Sequence, residues 1–253
     1  MTSNELDGRR SIADVALVAA GGVGAGMVAA YWGIGGVASR RVRPFASSWV
    51  VSQVPTRRPA VALTFDDGPD PEFTARITEA LGAARATFFV LGARTRAWPS
   101  LVRETFAAGH EIASHGDDHT HLWTLSPRAT LRDLHAGHRA VCDAIGQPPT
   151  AYRPPHGLFN LAAWVGAPRL GMRRTLWSLS SRDFADGMTA EAVAARVLDG
   201  VRPGSVVLMH DSADGEDRPA RTLAALPVVL EGLRARGLEP VTLGELLSGA
   251  GAR

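Results

Sequence analysis

The sequence predicts a parallel α/β fold whose repeating units close most naturally into a barrel. Three observations carry that expectation. Beyond residue 60, seven strand-like apolar runs alternate with six helix-like runs. The helix-like runs have matching start and stop signals: Ser126-Pro127 as cap and first residue, Thr189 with Glu191 close behind, and Gly109 and Gly237 as stops. Polar, chemistry-bearing residues collect just past the carboxyl ends of five strands, the face on which a parallel barrel assembles its site. An open doubly wound sheet would share this alternation and is the alternative.

A chain of 253 residues fits one domain of barrel size, or a smaller domain with an appendage. All 27 basic residues are Arg, and the absence of Lys excludes a Schiff-base lysine, a P-loop lysine and a Ser-Lys nucleophile pair. The net charge of +2 is scattered along the chain, so no nucleic-acid partner is expected, and no protein partner is evident. A single cysteine, Cys142, excludes an intrachain disulfide and a cysteine metal cluster, and is read as a buried structural thiol.

Taken in order, the chain begins with a polar stretch carrying Arg9 and Arg10, then shows no charge from residue 15 to 39. That length suits one bilayer crossing, which takes about 20 residues, so an uncleaved membrane signal-anchor helix is expected. A cleaved export signal ending near Val37-Ala38-Ser39 and a soluble apolar helix compete with it. Arg40, Arg41 and Arg43 follow, giving a small positive bias on the carboxyl side of the span. The domain division is then an amino-terminal segment over 1–44, a proline-bearing linker over 45–57 and a catalytic domain over 58–247. Within that domain strands are expected at 60–65, 86–91, 111–115, 151–155, 174–179, 205–210 and 238–243. Helices are expected at 72–83, 100–108, 127–145, 160–170, 189–198 and 220–236.

The first strand carries the chemistry. It runs from Val61 through Thr64 and Phe65 straight into Asp66-Asp67-Gly68-Pro69, where Gly-Pro ends the ladder. A turn explains one carboxylate, but a second at the mouth of a buried strand is costly unless a metal neutralises one and leaves the other as a base. His115-Gly-Asp-Asp-His119 supplies nitrogen ligands, the four-residue spacing placing both imidazoles on one side of a helical turn. Alone, that spacing is a weak signal whose default reading is two surface histidines. With a carboxylate it makes a two-His, one-Asp set that leaves open positions on a catalytic ion. His135 and His138 are read as surface residues of the long helix and His121 as an unneeded ligand.

Five stretches then fall in the order of a known family. Thr64-Phe-Asp-Asp-Gly-Pro69, His115-x-x-x-His119, Arg153-Pro-Pro-His-Gly157, Trp177 with Asp183, and Leu208-Met-His210-Asp211 resemble the motifs of the polysaccharide deacetylases, the NodB-homology domain of carbohydrate esterase family 4. The resemblance covers roughly residues 58–247 and implies a distorted (β/α) barrel of about seven parallel strands, preceded here by the apolar amino-terminal helix. It implies removal of acetyl groups from an acetylated glycan, with one divalent metal ion, zinc before cobalt, nickel or manganese, held by Asp67, His115 and His119. Asp66 corresponds to the general base and His210 to the general acid that protonates the departing amine. Arg153 resembles the arginine that holds Asp66, and Asp183 the carboxylate that orients His210. The His156 backbone N–H would meet the oxyanion, and Trp177 and Leu208 would surround the acetyl methyl, unless they are ordinary core. The family's usual substrates place the catalytic domain on the envelope side of the membrane, against the small charge bias.

Three departures stand out. Gly116 replaces a Ser or Thr whose hydroxyl braces the metal loop, so a looser loop is expected. His156 stands where Tyr is usual and alters the groove wall, and Phe184 follows Asp183 where Trp is frequent. The competing readings are a same-fold metallohydrolase acting on O-acetyl esters or a non-sugar amide, and a catalytically silent glycan-binding module.

Overall fold

The structure, a computed structural model, describes residues 49–212 and 217–250. The expected anchor over 15–39 and the whole amino-terminal segment over 1–44 lie outside the described residues, and among those described no helix is long and apolar enough to cross a membrane.

The organising strand is β1, Ala60–Asp66, buried at every position. A strand covered on both faces reads as continuous apolar sequence, which is why the run shows no polar alternation. Val61, Leu63 and Phe65 face the helices, whereas Ala60 and Ala62 point to the interior of the curl. Thr64 and Asp66 share that inner parity, so the strand delivers its last carboxylate inward.

The remaining elements follow in chain order: α1 Thr74–Leu81, β2 Thr87–Val90, α2 Gly92–Ala97, α3 Pro99–Ala107, β3 Glu111–Ser114, α4 Pro127–Ile145 and β4 Ala151–Tyr152. Then come α5 Leu161–Arg169, β5 Arg173–Arg174, β6 Leu179–Ser180, α6 Ala190–Gly200, β7 Val206–His210, α7 Arg218–Ala235, β8 Glu239–Val241 and α8 Leu243–Ala250. All strand pairs in the eight-stranded sheet are parallel, in the order β5-β4-β3-β2-β1-β7-β6, with β8 also pairing β1.

The sheet curls into a partial barrel, and its two path ends, β5 and β6, do not pair with each other. The expected fifth strand, 174–179, is therefore two short pieces. Its middle peels away because the Leu176 carbonyl accepts from Arg153 Nη2 at 2.9 Å and Leu176 N–H donates to Val51 at 2.8 Å. Val51 bridges Thr175 and Gln53 bridges Ser205, so residues 51–53 lie across the opening. Val50 and Val54 are buried there, and this part of the stretch read as a linker docks on the domain. Other differences are smaller: β4 stops at Tyr152, a helix α2 precedes the expected one, and α8 follows the last strand. Cys142 is half-buried on α4 rather than fully enclosed.

Candidate active site

Asp66 ends β1 and is buried against Arg153, a side chain with no exposure. Arg153 Nη1 donates to Asp66 Oδ1 at 2.5 Å and to Thr64 Oγ1 at 2.9 Å, and its guanidinium lies 4.0 Å over the Phe89 ring. Burial lowers the Arg153 pKa, opposed by the Asp66 charge. A buried pair of this kind is expensive to break, because removing one member strands the other's charge.

Asp67 follows, outside the ladder and at φ 77, which turns its side chain away from Asp66's direction. Its Oδ1 meets His115 Nε2 at 3.3 Å and His119 Nε2 at 3.1 Å. One ligand atom from each of the three lies within 4.8 Å of the others, the spacing of donors around one ion. Asp67 Oδ1 is buried without a hydrogen-bond partner, which fits a divalent cation as the missing neighbour. Burial opposes ionisation of Asp67, but His115 and His119 outweigh it and hold the carboxyl well below the usual range. His115 Nδ1 lies 2.8 Å from the Arg153 carbonyl. A carbonyl only accepts, so Nδ1 carries the proton and Nε2 presents its lone pair to the donor set. Arg153 thus serves both halves of the site, by side chain and by backbone.

The expected helical turn between the two histidines is not what the chain does. Residues 115–119 form a loop, with Gly116 at φ 86 and His119 at φ 61. Left-handed residues bring the imidazoles together in place of helical periodicity.

His210 ends β7 as the register partner of Asp66, so base and acid candidates stand side by side on neighbouring parallel strands. Asp183 holds it twice: His210 Nδ1 lies 2.8 Å from Oδ1, and the His210 backbone N–H donates to Oδ2 at 2.8 Å. Thr222 Oγ1 also donates to Oδ2, at 2.7 Å, and Arg221 clasps the loop through the Asp183 carbonyl at 2.9 Å. Burial alone would depress the His210 imidazolium, but Asp183, then Asp67 and Asp66, outweigh it and raise the pKa to about 9.

The rim is aromatic. His156 sits at φ 58, stacked on His121 with ring centroids 3.4 Å apart and 9° between planes, and 4.5 Å from His119. Partial burial, then the His119 and His121 imidazoles, push His156 down to about 4, so its own imidazole is neutral near pH 7. Phe184 meets His210 edge-on at 5.7 Å from the other side. Leu208 shares the inner face of β7 two residues below His210, and Trp177 lies half-buried, 5.7 Å from the Arg153 guanidinium.

Two further residues complete the site: Arg218, which has no signal in the sequence, and Asp211, which stands in the fifth motif but without an assigned role. Arg218, opening α7, donates to Asp67 Oδ2 at 3.1 Å and leaves Oδ1 to face the imidazoles. Asp211, fully buried, accepts from Gly68 N–H at 3.1 Å and Thr74 Oγ1 at 2.6 Å, tying the end of β7 to the turn after Asp67. Arg218 could have been suspected only from its contact, since an Arg at a helix start is ordinary, whereas the motif marks Asp211 and only its contacts show what it does.

A curled parallel sheet that sets a carboxylate and an imidazole beside a two-His, one-Asp donor set defines the class: a hydrolase site whose donors could hold a metal ion. The family model described as polysaccharide deacetylase matches residues 53–175. The chain is 34% identical over 205 residues to a peptidoglycan-N-acetylglucosamine deacetylase of Bacillus cereus, covering 79% of this chain and 94% of the relative. It is 34% identical over 193 residues to a chitooligosaccharide deacetylase of Sinorhizobium fredii, covering 72% and 89%. The crystal structure of a peptidoglycan N-acetylglucosamine deacetylase superposes with a TM-score of 0.76 at 28% identity, over 81% of this chain and 95% of that one. The chain belongs to the polysaccharide deacetylase family, the NodB-type domain of carbohydrate esterase family 4. It is an enzyme of that hydrolase class, and the family's members are metalloenzymes.

Proposed function

We propose that this enzyme removes N-acetyl groups from amino-sugar residues of an envelope glycan, with Asp66 as general base and His210 as general acid. The observation that carries the reading is the register pairing of Asp66 with His210 beside the Asp67, His115 and His119 donor set. The relatives named above act on peptidoglycan and chitooligosaccharides, which supports a polymer or oligomer of N-acetylglucosamine as substrate.

Asp67 Oδ1 and the two Nε2 atoms would hold the cation, with zinc, cobalt, nickel and manganese all compatible with the donors. When bound, that ion supplies a Lewis acid that polarises the acetyl carbonyl and acidifies water to a pKa of about 7. Asp66, aimed by its ion pair with Arg153, takes the proton of the attacking water. The His156 backbone N–H donates to the developing oxyanion. His210 enters protonated because Asp183 stabilises its cation, and it delivers a proton to the amine nitrogen as the carbon–nitrogen bond breaks. Leu208 and Trp177 enclose the acetyl methyl. Residues 15–39 would anchor the enzyme in a membrane with the catalytic domain on the envelope side; their charge-free length supports this.

Acetate release measured side by side on N-acetylated chitooligosaccharide, peptidoglycan and O-acetylated xylan tests the reading. Release from the first two above xylan is expected. Release from xylan alone would replace the amide reading with an ester one, and none from any, with metal bound, would point to a silent module.

A further inference from the structure

We propose that Asp133, on α4, is the positioning residue that holds the 115–119 loop in its ligand-bearing shape, taking over from outside the brace that a hydroxyl at position 116 would give from within. The proposal rests on the reading of Asp67, His115 and His119 as a cation site.

The loop needs a brace. His119 is a non-glycine residue at φ 61, a strained conformation that persists only where surroundings impose it. The surroundings here are α2 and α4. Gly92 N–H donates to the Gly116 carbonyl and Ala93 N–H to the Asp117 carbonyl, both at 2.9 Å. Arg96 grips the Asp117 carboxylate with two bonds, at 2.7 and 3.0 Å. From the other side, Asp117 N–H donates to Asp133 Oδ1 at 3.0 Å. The expected looser loop is therefore a pinned one.

Two steric facts tie Asp133 to this loop specifically. α4 comes so close that a Cβ on Gly137 would lie 2.3 Å from the Gly116 oxygen, which only glycine allows. A Cβ on Gly116 would lie 2.7 Å from Asp133 Oδ2, so a side chain at 116 and the Asp133 carboxylate compete for one space. The second carboxylate oxygen is buried without a hydrogen-bond partner. Leaving such an atom unpaired is unfavourable, a penalty that an alanine here would avoid. What the carboxylate secures in exchange is the bond to Asp117, midway between the two imidazoles. The hydrogen bond needs an acceptor oxygen and no charge, so Asn can replace Asp and Ala cannot.

The test uses the full chain. Cobalt(II) is titrated in to read its visible absorption, zinc affinity is measured against a competing chelator, and folding is checked by thermal melting. Asp133→Ala is expected to weaken zinc binding by about 10–100-fold, the range for loss of an outer-shell partner, and to alter the cobalt spectrum. Asp133→Asn is expected to restore both, and Asp143→Ala, an exposed carboxylate on the same helix, to leave both unchanged. If Asp133→Ala does not fold, Asp133→Ser, too short to reach the Asp117 N–H, is read in its place. Wild-type affinity and spectrum in the shortened variant would overturn the inference, as would an Asn variant as weak as the Ala one. A wild-type chain that binds neither metal would instead overturn the functional reading on which it rests.

Discussion

Replacing Asp183 by Asn should separate protonation from metal binding, because Asp183 touches His210 and none of the three donor atoms. In the folded enzyme the His210 pKa lies near 9 against an ordinary 6.5, with Asp183 the leading favourable cause once burial is set against it. Each pKa unit is about 1.4 kcal/mol, so the surroundings, with burial set against the charges, favour the imidazolium by a net on the order of 3 kcal/mol. The sign follows directly: a raised pKa keeps the acid protonated up to the folded value, and the activity dependent on it falls as pH rises through that value. A bound cation repels the imidazolium and brings the limb below 9 in the loaded enzyme, so wild type and variant must be compared in the same metal state. With Asn, the carboxamide oxygen satisfies the donors at Oδ2 and its NH₂ faces Nδ1, which holds the ring neutral. The alkaline limb should then move down by about two pH units, and kcat/KM at pH 8 should fall by about 10–100-fold, depending on how far the cation has already lowered the limb. The assay is acetate release from N-acetylated chitooligosaccharide across pH 5–10 in both proteins, with zinc content measured alongside. An alkaline limb that stays in place in the variant, at equal zinc content, would refute the assignment of His210 and Asp183.

Asp66→Asn should lower activity by about 10²–10⁴-fold with the metal retained, since Asp67 and the histidines still hold it. It should also cost about 3–5 kcal/mol in thermal or denaturant unfolding, because Arg153 is left buried without its counter-charge. Loss of the metal with an unmoved pH profile would exchange the roles of the two aspartates. Arg218→Ala should lower zinc affinity, read by chelator competition, because the hydrogen bond that orients Asp67 is lost; an unchanged affinity would make Arg218 a bystander. The full chain should sediment with membranes and resist carbonate extraction, whereas a mature form beginning near Arg40 in the medium would replace the anchor with a cleaved signal.

The β1 stretch and the five ordered motifs made much of the site legible, because a strand must end somewhere and its polar terminus is written next to it in the chain. Asp66 and His210 needed no long-range knowledge to be placed on one face, only parallel strands. The contacts that prepare them were illegible for the opposite reason. The Arg153 carbonyl that sets the His115 tautomer is a backbone atom, invisible to any reading of side chains. Arg218 reaches Asp67 across 151 positions. The helical turn expected from the His115/His119 spacing failed because left-handed Gly116 and His119 satisfy the same spacing by another path, at a cost that only packing against α2 and α4 can offset. The opening of the barrel was hidden likewise, since 174–179 has strand composition throughout and is parted by bonds to Val51 and Arg153.

The central claim is that Asp67, His115 and His119 hold the one divalent cation on which deacetylation depends. Zinc returned stepwise to protein stripped with chelator, with acetate release from N-acetylated glycan followed at each step, measures it directly. The account predicts an inactive stripped enzyme, recovery complete at one equivalent of zinc, and no recovery in His115→Ala. Full activity in excess chelator, from protein shown by metal analysis to carry no cation, would contradict it.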